Sequence, residues 1–377
     1  MSLFISSAEA SGDHYTAALA KKLRACGYDG AIWGMGGAEP RGAGVDVLWH
    51  GERLQLLGLT EVLPAIPSIL SLLSEMTDTI ARRKPDAVVV CDSPDFHMRL
   101  IAKLRRRGYG GRIFYISPPS VWAWRSGRAA ALRRYVDVCL PLFQFEHEYL
   151  LSRGCCSRWK GYPLLEEFRR GAEVSAADDP VLASERMVAF LPGSRGSEIN
   201  KLLPIMRESA DRLAAEGWSP VFSVAPGLNP AVRDSMIDEF TRSGVSFYTG
   251  PGRELMKRAC CAVGASGTIT VESLILGCYM VVTYKLNPIS ALVARCVIKT
   301  RRFAMANILA GCDMFPELLQ EKATAENITE CALAWLNGSS GFRAGIKGTM
   351  ARAMRTLGEE GVYDFWSEEI MKETGKC

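Results

Sequence analysis

Apolar residues come in short unbroken blocks along this chain, separated by longer stretches in which they recur every three or four positions. The first block, Leu3-Phe4-Ile5, runs directly into "SSAEASGDHY" (6–15). Later blocks are Ala87–Cys91 ("AVVVC"), Ile113–Ser117 ("IFYIS") and Val136–Leu140, then Met187–Leu191 ("MVAFL"), Pro220–Val224, Val245–Tyr248, Cys261–Gly264 and Tyr279–Thr283 ("YMVVT"). Continuous apolar runs bounded by turns predict strands buried on both faces, and the helical stretches between them predict right-handed crossovers in parallel sheets. Gly171–Glu185 ("GAEVSAADDPVLASE") is small, polar and acidic, and reads as a linker between two similar βαβ halves. The expected fold is α/β, two doubly wound domains facing an interdomain cleft, with ligands at the carboxyl ends of the strands.

Composition narrows the partners. The chain has 377 residues, 48% of them hydrophobic and 23% charged, as in a globular protein with a full core. A net charge of +4 gives no footprint for nucleic acid, and clusters such as Arg105-Arg106-Arg107 read as solvated helix ends. The 12 cysteines include adjacent pairs but no CxxC, and only 4 histidines accompany them, so reduced thiols in the core are expected and no metal site. Residues 1–5 lack a basic n-region and a cleavage site, so no secretory signal is expected. Leu54–Leu73 is greasy but carries Gln55, Glu61, Pro64 and Pro67, which makes it a poor spanning helix.

The chemistry is concentrated where strands end. A nucleotide-binding turn is usually glycine-rich, yet the first turn has one glycine, Gly12, among Glu9, Ser11 and Asp13. Capping by Ser11 or Asp13 accounts for part of it but not for Glu9. Carboxylates accept hydrogen bonds from hydroxyls, so this turn suits a sugar. After "AVVV" comes Cys91-Asp92-Ser93-Pro94-Asp95; Asp95 is placed to cap the next helix, which leaves Asp92 to point into the cleft. A cleft carboxylate can serve as general base for an alcohol, helped by burial that raises its pKa. "SPPSVWAW" (117–124) follows the third strand, where Trp122 and Trp124 suggest packing or an aromatic wall.

The second half carries different signals. Gly193, Ser194 and Arg195 expose amides and a guanidinium fork suited to a diphosphate. Ser266, Gly267 and Thr268 close a strand and open a helix, so their amides and the helix dipole suit an anion. Glu272, one turn on, is placed for the hydroxyls of a ribose. The second half therefore reads as holding a nucleotide diphosphate and the first an acceptor. Ile66, Ile69, Leu70, Leu73 and Met76 fall at helical spacing, as do Ile289, Leu292, Val293, Cys296 and Val297. With Arg295, Lys299, Arg301 and Arg302 beside the latter, the pair suggests a surface lying on anionic lipid.

"SAEASGD" (7–13), "GLTEVL" (58–63), "CDSPDF" (91–96), "SPPSVWAWR" (117–125), "LPGSRGSE" (191–198), "ASGTITVES" (265–273) and "ANILAG" (306–311) together resemble the bacterial lipid-A-disaccharide synthase family, in order over most of residues 3–320. The resemblance implies a GT-B fold with two Rossmann-like domains, residues 1–170 for the acceptor and 171–345 for the UDP-sugar donor. A C-terminal helix of about 345–377 is expected to pack back on the first. It implies an inverting glycosyltransferase, independent of metal and cofactor, joining UDP-2,3-diacylglucosamine to 2,3-diacylglucosamine 1-phosphate (lipid X). The products would be UDP and the β-1,6-linked disaccharide of lipopolysaccharide biosynthesis in Gram-negative cells. It implies Asp92 as the base, Glu9 and Asn307 as active-site polar groups beside Ser11, Gly12 and Asp13, and Arg195 and Glu272 in the UDP site. Members associate with the cytoplasmic face of the inner membrane, and some form homodimers by exchanging C-terminal elements. Tyr162 stands where relatives usually carry His, and Ala306 where a proline is common.

Two other readings share the architecture. A UDP-N-acetylglucosamine 2-epimerase needs no second sugar, and a non-enzymatic nucleotide-binding module yields no product from any sugar pair. A nicotinamide dehydrogenase is disfavoured because no strand is followed by GxGxxG, and "GMGGAEPRG" from Gly34 lacks that spacing.

Overall fold

Valine-rich blocks become the central strands of two sheets, each of six parallel strands. The computed structural model describes residues 2–51, 54, 62–170, 180–182, 184–193, 196–286 and 300–375. In the first sheet β1 (Ser2–Ser6), β2 (Ala31–Gly36), β3 (Asp46–His50), β4 (Ala87–Cys91), β5 (Arg112–Ile116) and β6 (Val138–Leu140) lie in the order β3-β2-β1-β4-β5-β6. In the second, β7 (Met187–Leu191), β8 (Ser219–Ser223), β9 (Phe247–Tyr248), β10 (Cys261–Ala265), β11 (Met280–Tyr284) and β12 (Glu317–Leu319) lie in the order β12-β11-β10-β7-β8-β9. Counted from its own first strand, the second sheet repeats the first. This is the doubly wound order, in which strand connections reverse direction between the first and fourth strands and leave a crevice at their carboxyl ends.

Each sheet is sealed on both faces. Val88, Val89 and Val90 of β4 are all fully buried, with Val88 in register between Phe4 of β1 and Ile113 of β5. Val188, Ala189 and Phe190 of β7 are buried in the same way. The chain divides into two compact units, Met1–Glu167 with Leu357–Cys377, and Phe168–Thr356. The last helix, Val362–Glu373, packs on the first, Ala10–Ala25: the rings of Tyr15 and Trp366 meet edge to face at 6.2 Å.

Three strands escape the hydrophobic pattern. β2 ("AIWGMG") is diluted by two glycines, β3 is a polar edge strand, and β12 is three residues long. The helix Val62–Arg83 turns Leu72, Leu73, Met76 and Ile80 into the core and leaves Ile66 and Leu70 exposed, so Leu73 and Met76 are removed from the expected lipid-facing stripe. Residues 289–297 of the second stripe, and most of the linker at 171–185, lie outside the described residues. Tyr162 is wholly buried with its ring stacked on Phe143 at 5.3 Å, a core role in the first unit.

Candidate active site

In the first unit β1 and β4 are neighbours at the point where the strand order reverses, and the turns that leave them are joined through one side chain. After β1 the chain runs through Ser7 and Ala8 to Glu9, which is the N-cap of the helix Ala10–Ala25; neither Ser11 nor Asp13 is the cap. After β4, Asp92 and Ser93 both adopt left-handed backbone, φ 57° and 41°, before Pro94 opens the helix Pro94–Arg106. The Asp92 carboxylate reaches across and accepts hydrogen bonds from the amides of Ala8 (3.3 Å) and Glu9 (3.1 Å). A Cβ on Gly12 would lie 1.8 Å from Asp92 Oδ2, so the carboxylate occupies the space that any other side chain at position 12 would need.

Two consecutive non-glycine residues in the left-handed region are strained, at about 1–3 kcal/mol each, and persist only where surroundings hold them. Here the Asp92 carbonyl is held from two sides. Tyr115 Oη donates to it at 2.9 Å, and His97 Nδ1 lies 2.9 Å from it. A carbonyl only accepts, so Nδ1 carries the proton. Nε2 then accepts from the Ser6 hydroxyl at 2.8 Å. Burial pushes the His97 pKa down to about 4, which keeps the ring neutral and fixes this arrangement. Ser6, His97 and Tyr115 were not foreseen in the sequence. The signal available was a histidine five residues after Asp92, one helical turn beyond the strand end.

Burial pushes the Asp92 pKa up to about 8; the negative charge of Glu9 adds to the rise, while hydrogen bonds from Ser93 and from the Glu9 and Ala8 amides oppose it. The result is a carboxyl group able to gain or lose a proton near neutral pH, with Glu9, half-buried, beside it. Asp13 is buried, and its Oδ1 accepts from the Ser7 hydroxyl at 2.7 Å, tying the turn to the helix. Ser11 is exposed on the same first turn. Asp95 is not the cap expected of it: Ser93 holds that position, and the Asp95 carboxylate instead pairs with Arg125 (2.9 Å) and Arg128.

In the second unit β7 and β10 occupy the equivalent positions. Gly193 leaves β7 with φ 117°, while Ser194 and Arg195 lie outside the described residues. After β10, the Ser266 amide is spent on the carbonyl of Thr283 (3.2 Å), so the anion-facing turn narrows to Gly267 and Thr268. Gly267 has φ 152° and is exposed; a Cβ there would meet nothing within 4 Å, an open approach to the backbone. Thr268 precedes the helix Ile269–Leu276, and Glu272 is half-buried in its first turn. Asn307, expected as an active-site polar group, belongs to this second unit. Its buried amide donates to the Phe315 carbonyl and Glu317 Oε1 and accepts from the Phe315 amide, all at 2.8 Å, which anchors β12.

The chain matches the family model for lipid-A-disaccharide synthetase over residues 3–364. It is 35% identical to the lipid-A-disaccharide synthase of Myxococcus xanthus, with 98% of this chain and 97% of that protein covered. Against the synthase of Azotobacter vinelandii identity is 36%, over 87% of each. Among solved structures it resembles S. aureus MnaA with UDP (TM-score 0.68, 13% identity, covering 100% of this chain and 97% of that one). A putative UDP-N-acetylglucosamine 2-epimerase from Listeria monocytogenes gives TM-score 0.64 at 14% identity, covering 100% of this chain and 97% of that one. At these identities the structural likeness speaks for the fold alone, two Rossmann-like domains of the GT-B kind.

Proposed function

The chain belongs to the lipid-A-disaccharide synthase family, and from that premise we propose that it joins UDP-2,3-diacylglucosamine to 2,3-diacylglucosamine 1-phosphate, releasing UDP and forming a β-1,6 linkage. The observation that carries this reading is Asp92: a half-buried carboxyl at the reversal point of the first sheet, with a pKa pushed up to about 8. In the proposed step the Asp92 carboxylate takes the proton from the acceptor's 6-hydroxyl as that oxygen attacks the anomeric carbon. Attack from the face opposite UDP inverts the configuration. The second unit supplies the nucleotide site. The turn at Gly267 and Thr268 faces the diphosphate as it gains charge, Glu272 takes the ribose, and Arg195 is assigned to the diphosphate from sequence. Glu9 lies beside the base and raises its pKa.

The test is product formation. Protein incubated with both diacyl sugars should yield the disaccharide phosphate by mass, and neither sugar alone should react. Asp92→Asn cannot take a proton, so turnover should fall by about 10²–10⁴-fold while UDP affinity, measured by calorimetry, persists. Near-normal turnover in Asp92→Asn removes it as base and turns attention to Glu9.

Both substrates carry acyl chains, so the reading also places the enzyme at a membrane surface. No helix among the described residues is long and apolar enough to cross one. Exposed Ile66 and Leu70 on the helix Val62–Arg83 support peripheral contact. Sedimentation with anionic vesicles at low salt should carry the protein down, and full recovery in the supernatant counts against it.

A further inference from the structure

The first unit contains a second feature beside Asp92. A groove of about 610 Å³ runs along the helix Pro94–Arg106 toward the helix Arg128–Tyr135. Arg99, Lys103, Arg106, Arg125 and Arg128 line it against a single carboxylate, Asp95, a net charge of +4. Arg99, Lys103 and Arg106 fall at i, i+4 and i+7, one above the other along a stripe that flanks the buried Phe96, Leu100 and Leu104. Stacked like charges destabilise a helix. Arg99 and Arg106 have no ion pair or hydrogen bond among the described residues to offset that. Lys103 and Arg106 lie in the last turn, where the helix dipole favours cations, but Arg99 is mid-helix and draws no such support.

The floor is of opposite character. Leu73, Met98, Ala102, Ala131 and Tyr135 make it apolar. A guest with an alkyl chain and an anionic head matches both surfaces. At the inner end Asp95 draws the Arg125 and Arg128 guanidiniums together, and both lie against the Trp124 ring, at 4.5 and 5.7 Å from its centroid. Asp95 is three residues from Asp92, and the helix extends about 16 Å from there to Arg106. The groove therefore begins beside the base and leads away from it.

Resting on the acceptor reading above, the geometry points to this groove as the subsite for the acylated phosphate monoester. Arg125 and Arg128 hold its phosphate while an acyl chain lies along Met98, Ala102 and Ala131. A phosphate across one sugar ring from the attacking hydroxyl would orient that hydroxyl toward Asp92. Bidentate guanidinium pairs suit this recognition better than isolated ammonium groups.

The test is a cycle between enzyme and substrate. Arg125→Gln with Arg128→Gln should raise the KM for 2,3-diacylglucosamine 1-phosphate by about 10–100-fold, the loss of charged hydrogen bonds, and leave the KM for the UDP-sugar unchanged. With the acceptor lacking its phosphate, the wild type should already show the weak KM and the double variant should lose nothing more. An equal loss on both acceptors means a merely structural role and overturns the proposal. Loss of anionic-vesicle binding with an unchanged acceptor KM in detergent micelles assigns the groove to bilayer headgroups and also overturns it. The groove is tested without turnover by quenching of tryptophan fluorescence with dodecyl phosphate. Wild type should respond at lower concentration than the double variant, and neither should respond to neutral dodecyl glucoside. A wild type that makes no disaccharide yet binds dodecyl phosphate would sink the proposed reaction and keep the groove. A wild type indifferent to dodecyl phosphate sinks the groove.

Discussion

Asp92, the proposed base, is under two opposed demands. Burial disfavours its charge, while the amides of Ala8 and Glu9 favour it, and burial prevails, with a pKa of about 8. A general base works only when ionised, so kcat/KM should rise with pH through about 8 and level off above it. A carboxylate near its ordinary value would level off below pH 6. A rate profile flat from pH 6 to 9 would show that this group does not limit the reaction. Stability moves the other way. The folded-state pKa lies above the unfolded value, so Asp92's contribution is full below the unfolded pKa and is lost as pH rises toward 8. The conditions that ionise the proposed base therefore also weaken its hold in the fold.

At the scale of elements, the strand ends decide what Asp92 can do. The left-handed pair Asp92-Ser93 is held by a bond from β5, through Tyr115, and by the helix that follows, through His97. Tyr115→Phe removes one donor to the Asp92 carbonyl and nothing else. That bond is worth about 1 kcal/mol, so kcat should drop about five-fold with KM unchanged. Tyr109→Phe, which loses a comparable bond to the Pro85 carbonyl away from the site, should lower thermal stability only. Equal kcat in both variants would sink the bracing role. This network marks the limit of what the sequence carries. Valine-rich strands were legible because a strand buried on both faces must be apolar throughout. β2 and β12 were not, since glycine dilution and three-residue length erase that pattern. Glu9 and Asp92 could be found because they follow strands directly. Tyr115 sits in a neighbouring strand and its partnership exists only after the sheet forms. Asp95 looked like a cap because the sequence does not show that left-handed backbone moves the cap back to Ser93.

At the scale of the molecule, the second unit is an excursion from the first: the chain leaves at Glu167 and returns at Leu357. Departure and return are fastened together within the first unit. The Tyr162 amide donates to the Leu357 carbonyl at 2.7 Å, Tyr363 Oη donates to Glu167 Oε1 at 2.8 Å, and Lys22 pairs with Asp364 at 2.6 Å. His14 completes the fastening from the first helix, with Nε2 2.8 Å from Glu167 and Nδ1 2.9 Å from Glu39. The hydrogen bond to Glu167 is the main reason its pKa is pushed up to about 9, against the lowering effect of burial, with the Glu167 and Glu39 charges adding to the rise. A folded pKa above the unfolded value of 6.5 means that this contribution is fully present below pH 6.5 and is lost as pH rises to about 9. His14→Gln should therefore melt below the wild type at pH 6, and the gap should narrow progressively toward pH 9. Partial exposure of the ring screens the pair, so the gap should be a few degrees at most, smaller still in high salt. Melting curves for both proteins at pH 6, 7.5 and 9 decide it. A gap that stays constant across that range would mean that His14 acts by packing, and that the fastening does not depend on its charge.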